Sequence, residues 1–401
     1  MKTSVLLFSL IVSTAMLGSC EESEPIAPIP SPPSAPVAGV PTTRPAQARA
    51  QGPAIPAQLP KPRLVGPVAP SIVVVPEHIS EPLIRVKLTE ELTYRPTIRK
   101  AYRGRIEVVT LPNGKYVAVN VVPIDAYLAG VLPKEILNSW SPEVFRAQAI
   151  AARTFALFQM LTEGKGKPWD VSNDVGSQMY GGIAGETARS RSAVSETAGE
   201  VLMATLKGRE GVFCARYSAC TGGATQDPFD AWGDPSLGAL APRRIGNFEN
   251  ISPSSHFMWA PMTIEKSDIT RCVRSWAERN SLPYLLVLGP IQSVVIGKRN
   301  PVTGRPTEFT LTDTAGRSAP IRAEEFRLAL IYDPLGAAPK PYSSWFDIRD
   351  EGGAIEIFNG RGHGHGIGMS QWGAQAMALQ GRSHEEILAF FYPGATLKTL
   401  W

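Results

Sequence analysis

Gly360-Arg361-Gly362-His363-Gly364-His365-Gly366-Ile367-Gly368 places five glycines in nine positions. Glycine loses more backbone freedom on folding than any other residue, so this spacing would weaken a core strand or helix. It suits a segment that must pass close to a ligand or take positive φ beside reactive side chains. The run continues as Met369-Ser370-Gln371-Trp372-Gly373-Ala374, so two histidines, a serine, a glutamine and an indole gather in one loop. The segment reads as one wall of a site, and His363, His365, Ser370 and Gln371 are its candidate binding residues.

The other end of the chain reads as an address. Lys2 supplies a positive start, and Val5 to Leu17 is apolar apart from small polar residues. Leu17-Gly18-Ser19-Cys20 resembles a lipobox, the sequence at which bacteria attach diacylglycerol to cysteine and cleave before it. Residues 1–20 are therefore expected to be a lipoprotein signal peptide with Cys20 as the lipidated residue. A plain signal peptide with an incidental cysteine is the alternative. So short an apolar stretch does not span a membrane as a mature helix. The mature protein is expected outside the cytoplasm, tethered by lipid to a bacterial membrane and facing the periplasm or cell wall. Of four cysteines, Cys214, Cys220 and Cys272 then remain, an odd set in an oxidising compartment. Cys214 and Cys220 are close enough for a small-loop disulfide, but sequence does not fix the connectivity.

Residues 21–80 are rich in Pro, Ala, Ser and Val, and such a stretch is expected to be a disordered, partly polyproline spacer. Folded sequence is expected over 81–401. Leu83 to Leu88 alternates like a strand. Arg105–Val109 and Tyr116–Val122 flank Pro112-Asn113-Gly114, a hairpin signal. Ser141-Pro142-Glu143 opens a helix through Leu157, with Ser141 as N-cap and Pro142 at the first helical position. Its alanines imply close packing and a central place. Further helices are predicted over Thr187–Glu200, over Ser370–Leu379 and after Ser383, where Ser383-His384-Glu385-Glu386 forms a capping box. Leu285–Leu288, Ser293–Ile296 and Glu308–Thr312 read as strands, making 264–345 a small β-rich insertion. Strands and helices are grouped rather than alternating, so the fold class is α+β with a central helix after an N-terminal β region.

The 401 residues carry a net charge of +4 without any basic cluster interleaved with aromatics, which argues against a nucleic-acid partner. Several motifs carry a family resemblance. Tyr127-Leu128-Ala129-Gly130-Val131-Leu132-Pro133-Lys134-Glu135 is followed by Ala147-Gln148-Ala149-Ile150-Ala151-Ala152-Arg153-Thr154-Phe155-Ala156. Gln178-Met179-Tyr180-Gly181-Gly182 comes next, then Tyr217-Ser218-Ala219-Cys220-Thr221-Gly222-Gly223-Ala224-Thr225 and Trp232-Gly233. The glycine loop and Tyr392-Pro393-Gly394 close the series. In these motifs and their order, from Leu83 to Leu397, the chain resembles the SpoIID/LytB family of bacterial cell-wall proteins. His365 matches the family histidine, and His363 stands where the family usually has tryptophan.

The resemblance implies that Glu135 is the catalytic acid. On residues alone, a glutamate after proline is an ordinary helix-start residue, yet an apolar run before it also implies a partly desolvated carboxyl with a raised pKa. Gln148, Arg153, Gln178, Tyr180, Ser218, Gly222, Gly223 and Trp232 are the remaining candidate substrate-binding positions. Hydroxyls, amides and flat rings around one carboxyl suit a sugar. Each of these positions also has a purely structural reading, as core aromatic or turn. Val171–Ser177 has neither the cysteine nor the histidine with which some relatives hold a metal. His363 and His365 alone do not make a zinc site, so no metal and no cofactor are expected.

The activity that the resemblance implies is cleavage of peptidoglycan glycan strands, preferably stripped of peptide stems, by a lytic transglycosylase route with a 1,6-anhydro product. One carboxyl suffices for that route, whereas ordinary glycoside hydrolysis uses two, for which Asp174, Asp227 and Asp230 are candidates. A non-catalytic wall-binding module or enhancer of a cell-wall amidase is the alternative. Replacing Cys20 by Ala is expected to leave the protein unprocessed or released from membranes, read by fractionation and the mass of its N-terminal peptide.

Overall fold

The computed structural model describes residues 70–174 and 177–401. The stretch expected to be a signal peptide, Cys20 and most of the expected spacer lie outside the described residues. Strands β1 (Leu83–Lys87), β2 (Arg105–Thr110), β3 (Tyr116–Pro123) and the short β4 (Val171–Ser172) form one sheet in the order β2-β3-β1-β4. β2 and β3 make the expected hairpin, with Thr110 opposite Tyr116 and the turn closed by Leu111 and Lys115. The chain docks earlier than the spacer reading supposed. Val73 exchanges backbone hydrogen bonds with Val212, and Ile79 donates to Leu400, so 70–80 belongs to the folded unit.

Helices α1 (Ile124–Glu135) and α2 (Pro142–Leu161) follow directly. The Ser141 hydroxyl accepts from the Glu143 amide ahead of Pro142, as the capping signal implied. Ala147, Ala149, Ala151, Ala152 and Ala156 on α2 are all buried, which lets neighbouring backbones approach. α3 (Ala188–Glu196) packs against both and starts in a Thr187–Ser190 capping box. It ends sooner than predicted, because the chain turns at Gly199 (φ +71°) and becomes a strand. One contact locks α3 to α1. Pro133 has no N–H, which frees the carbonyl four residues earlier, and the Ser190 hydroxyl donates to that Ala129 oxygen at 2.8 Å.

β5 (Glu200–Leu206) and β6 (Arg209–Val212) follow, then β7 (Tyr217–Ser218) and the short α4 (Pro228–Trp232). Beyond them lie β8 (Met258–Trp259), β9 (Met262–Glu265), α5 (Lys266–Arg279) and α6 (Pro283–Leu286). Leu285 and Leu286 are thus helical rather than extended, with Pro283 at the first helical position. β10 (Ile291–Arg299), β11 (Pro306–Asp313) and β12 (Ser318–Arg322) form an antiparallel sheet covered by α7 (Ala323–Ile331). β13 (Trp345–Glu351) and β14 (Ala354–Arg361) form an antiparallel pair, and β14 also pairs with β8 and β9. A separate apolar cluster fills this part and runs from Trp259 to Ile357, past both 264 and 345. The chain returns through β15 (Met369–Ser370), α8 (Gln371–Leu379), α9 (His384–Phe391) and β16 (Thr396–Thr399), which pairs with β5. The class is α+β.

Arg153 lies in the middle of the first core with its side chain fully buried. Its guanidinium pairs with Asp125 at 2.6 Å and donates to the Glu200 carbonyl at 3.0 Å. The Trp401 indole N–H donates to the other Asp125 oxygen at 3.2 Å. The sequence reading placed Arg153 against substrate; the structure places it where it joins α1, α2, β5 and the last residue. Removing one partner of a buried pair strands the other, so Arg153→Ala is expected to cost about 3–5 kcal/mol in chemical denaturation.

Candidate functional site

Glu135 is the last residue of α1, not a helix start, because Ile136 turns extended (φ −133°, ψ 156°). A helix C-terminus carries partial negative charge, which disfavours a carboxylate there. Protein encloses the side chain on most sides while part of its surface stays open to solvent, a combination that suits proton exchange with a ligand. Burial pushes its pKa up to about 7, opposed by hydrogen bonds from the Met179 amide and the Gln371 side chain. Glu135 is therefore partly protonated at neutral pH.

A connected set of amides and phenols lies beside it. Gln178 accepts from the Tyr127 hydroxyl at 3.2 Å and donates to the Tyr217 oxygen at 2.9 Å and the Ala152 carbonyl at 3.3 Å. The charge of Glu135 helps raise the pKa of both phenols, after burial itself. Gln371 reaches the Gln148 oxygen at 3.5 Å. The Gln148 amide nitrogen is buried with no partner, the one unmet donor of this set. Of the three candidate second carboxylates, Asp174 has a charge that acts on the same Tyr127 phenol, after burial, Glu135 and Tyr180. Asp227 caps α4 and Asp230 accepts from Asn300 at 2.7 Å.

The glycine loop is held on both sides. His363 and Cys220 exchange backbone hydrogen bonds, and β15 lies parallel to β7. On the other side, the Phe257 carbonyl accepts from Gly362, and that of Tyr342, which packs against the second cluster, accepts from Gly364. The two motifs touch backbone to backbone: Gly222, at φ +74°, would carry a Cβ only 2.7 Å from the Gly362 nitrogen. Two residues that the motifs did not single out fasten this contact. The fully buried Glu249 accepts from the Thr221 amide (3.1 Å) and hydroxyl (2.7 Å), from the Gly223 amide (2.7 Å) and from the Ser370 hydroxyl. Arg305, also buried, donates to Gln226 at 2.6 Å and to the Thr221 and Ala224 carbonyls at 2.7 and 3.1 Å. Neither belongs to a motif, and with neighbours such as Asn247, Asn250, Thr303 and Thr307 neither carries a sequence signal that it is buried.

The other predicted positions divide. Ser370 caps α8 and accepts from Gly373, and Ser218 accepts from the Gly366 amide, so both shape the loop. Tyr180 packs among Tyr102 and Tyr127 and donates to Asn120 at 3.1 Å, as a core residue. Trp232 lies between the Arg216 guanidinium at 4.4 Å and the His365 ring at 5.0 Å. The His365 Nδ1 accepts from the Ile367 amide at 3.0 Å. Burial, helped by Arg216, pushes His365 down to about 3, and burial with His256 pushes His363 down to about 4. Both rings are neutral at neutral pH. The partners of His365 are distinct from those of Glu135, which are the Met179 amide and the Gln371 side chain. Among the described residues no group of three or more His, Cys, Asp or Glu is placed to hold a metal ion. Cys214, Cys220 and Cys272 are all free, and the possible Cys214–Cys220 disulfide is not formed. A cavity of about 520 Å³, lined by Asn138, Arg146, Thr187, Arg189 and Glu196 among others, opens beside α3 without including Glu135.

Comparison with known proteins places these motifs in company. Residues 112–203 match the family model described as stage II sporulation protein. An uncharacterized protein of Brachyspira hyodysenteriae is 30% identical over 289 residues, covering 71% of this chain and 69% of that one. The amidase enhancer of Bacillus subtilis is 28% identical over 67% of this chain and 40% of its own length. The stage II sporulation protein D of Bacillus amyloliquefaciens is 26% identical over 70% of this chain and 75% of its own. A test of the loop's anchor follows. Glu249→Gln replaces an acceptor with a donor facing N–H groups, and is expected to cost on the order of 3 kcal/mol. Faster amide exchange across 217–225 and 360–370 is expected with it.

Proposed function

Because the chain belongs to the SpoIID/LytB family, we propose that it cleaves peptidoglycan glycan strands as a lytic transglycosylase with Glu135 as its acid and base. The observation that carries this reading is one carboxyl at a helix end, mostly enclosed yet partly open to solvent, whose burial pushes its pKa up to about 7. Protonated Glu135 gives its proton to the oxygen linking the N-acetylmuramic acid C1 to N-acetylglucosamine, and the C1–O bond breaks. The resulting carboxylate takes the proton of the muramyl C6 hydroxyl as that oxygen bonds to C1, closing the 1,6-anhydro ring. Every proton returns to Glu135, and no water is consumed. Gln371 and the Met179 amide hold the carboxyl in place, and Gln148 and Tyr217 offer polar groups beside it. Strands stripped of peptide stems are the substrate this reading favours. The mildly basic chain suits a glycan carrying lactyl carboxylates.

The protein would work outside the cytoplasm, held to a membrane through Cys20, with the residues before the folded unit giving it reach. A second reading takes its support from the relative called amidase enhancer: a wall-binding module that assists a cell-wall amidase without turnover. Hydrolysis with Asp174 as a second carboxylate is the third.

Mass spectrometry of products from purified glycan strands separates them, since anhydro ends support the first, reducing ends the third, and binding without cleavage the second. Glu135→Gln is expected to lose about 10²–10⁴-fold or more in cleavage while still binding strands. Wild-type activity should fall as pH rises through about 7, where the acid loses its proton. The native state also holds that proton more tightly than the unfolded chain does, so this contribution to stability is lost as pH rises from about 4.5, the ordinary glutamate value, to about 7. Glu135→Gln should therefore melt no lower than wild type above pH 7.

A further inference from the structure

Three partly exposed rings from distant parts of the chain meet at the outer edge of the glycine loop. His256 and Tyr342 lie 4.0 Å apart between ring centroids, His256 and His363 5.0 Å, and Tyr342 and His363 5.4 Å. Trp259 supports them from beneath, 5.9 Å from Tyr342, its indole N–H held by the Gly362 carbonyl at 3.1 Å. Backbone hydrogen bonds fix each segment: Gly364 to Tyr342, Gly362 to Phe257, and His363 to Cys220. His256 closes a short 3-10 turn in the left-handed region (φ +52°), a costly conformation for a residue other than glycine. Its Nδ1 engages the Ser254 carbonyl at 2.9 Å, which leaves Nε2 as an acceptor. The cluster is preformed, amphipathic and accessible, and nothing in the reaction scheme uses it.

We infer that His256, Tyr342 and His363 form a distal sugar subsite that binds the glycan strand beyond the residues cleaved at Glu135. This rests on the glycan-strand reading given above. Flat rings cover the apolar face of a pyranose while their polar edges meet hydroxyls and N-acetyl groups. Position supports the assignment. His363 is bonded to Cys220, only three residues along the chain from Tyr217 in the Glu135 cluster, a span of about 10 Å at full extension. A strand lying along the loop would reach the ring cluster after a few sugar units. Short fragments that fill the Glu135 end alone would not reach it.

The test compares ligand lengths. In the non-cleaving Glu135→Gln protein, affinities are measured for long purified glycan strands and for the single disaccharide unit. His256→Asn removes the ring while tolerating the left-handed backbone, and Tyr342→Ala and His363→Ala remove the other two. Each is expected to weaken long-strand binding roughly tenfold, the scale of one lost ring contact, with a far smaller change for the disaccharide. His363→Trp, which keeps a flat ring, should retain long-strand binding. Equal losses at both lengths with a lowered melting temperature would mark the rings as structural and overturn the subsite, as would unchanged long-strand affinity. Unchanged affinity with cleavage intact sinks the subsite alone. Length-dependent loss, where the protein with Glu135 intact also fails to cleave strands, sinks the enzyme reading and leaves the subsite standing, and no glycan binding at all sinks both.

Discussion

The site is assembled by one buried carboxyl that touches no solvent. Glu249 draws in the Thr221 and Gly223 amides and the Thr221 and Ser370 hydroxyls, groups from two stretches about 150 residues apart in sequence. Four donors converging on one side chain satisfy it fully, which is the condition for burying such a group at all. With the two motifs clasped there, Ser370 is fixed as the cap of α8. α8 then sets where Gln371 points, and Gln371 is one of the two partners of Glu135. The position of the proposed acid thus depends on a second glutamate used for the opposite purpose. Glu249 is surrounded by donors, whereas Glu135 sits at the negative end of a helix with few.

Arg305 serves a related end from the other apolar cluster. Its guanidinium passes under the loop, where a Cβ on Gly366 would stand 2.8 Å from its nitrogen, and it binds the carbonyls of Thr221 and Ala224. The β10–β12 sheet is therefore joined to the site through a charged group as well as by packing. Burial pushes Arg305 down to about 10, still far enough up to keep it charged at neutral pH. Rigid support of this kind is what holds a loop with five glycines in one geometry.

Much of this was legible in the sequence where the chemistry is local. Ser141 with Pro142, the Ser383–Glu386 box and the turn at Pro112-Asn113-Gly114 all fix structure through neighbours a few residues away. The motif residues fall around the candidate site, and the apolar run before Glu135 goes with its burial. What failed depends on distant partners. Arg153 in a motif looks like a ligand-binding cation until Asp125 is placed beside it. Tyr180 looks like a sugar contact until Tyr102 and Tyr127 enclose it. Leu285 and Leu286 look extended because periodicity over four apolar residues does not separate a strand from a helical turn. Glu249 and Arg305 sit in unremarkable sequence, and only the packed fold makes them partners. The stretch from 70 to 80 has spacer composition, and its docking to Val212 and Leu400 comes from edges formed far away.

That last docking bears on the order in which the chain can assemble. Leu400 donates to Gly199 and accepts from Ile79, and the Trp401 indole closes on Asp125. β5 has β6 as one neighbour, and its other edge is covered only by β16. The apolar cluster around α1 and α2 therefore lacks a wall until residues 396–401 have been made. Contacts so distant in sequence form late and slowly, so the earlier part must wait in an incompletely packed state. Under the proposal that the protein works outside the cytoplasm, such a delay keeps the chain threadable until most of it has passed a membrane. The same strand that completes the sheet thereby sets the moment at which the fold can close.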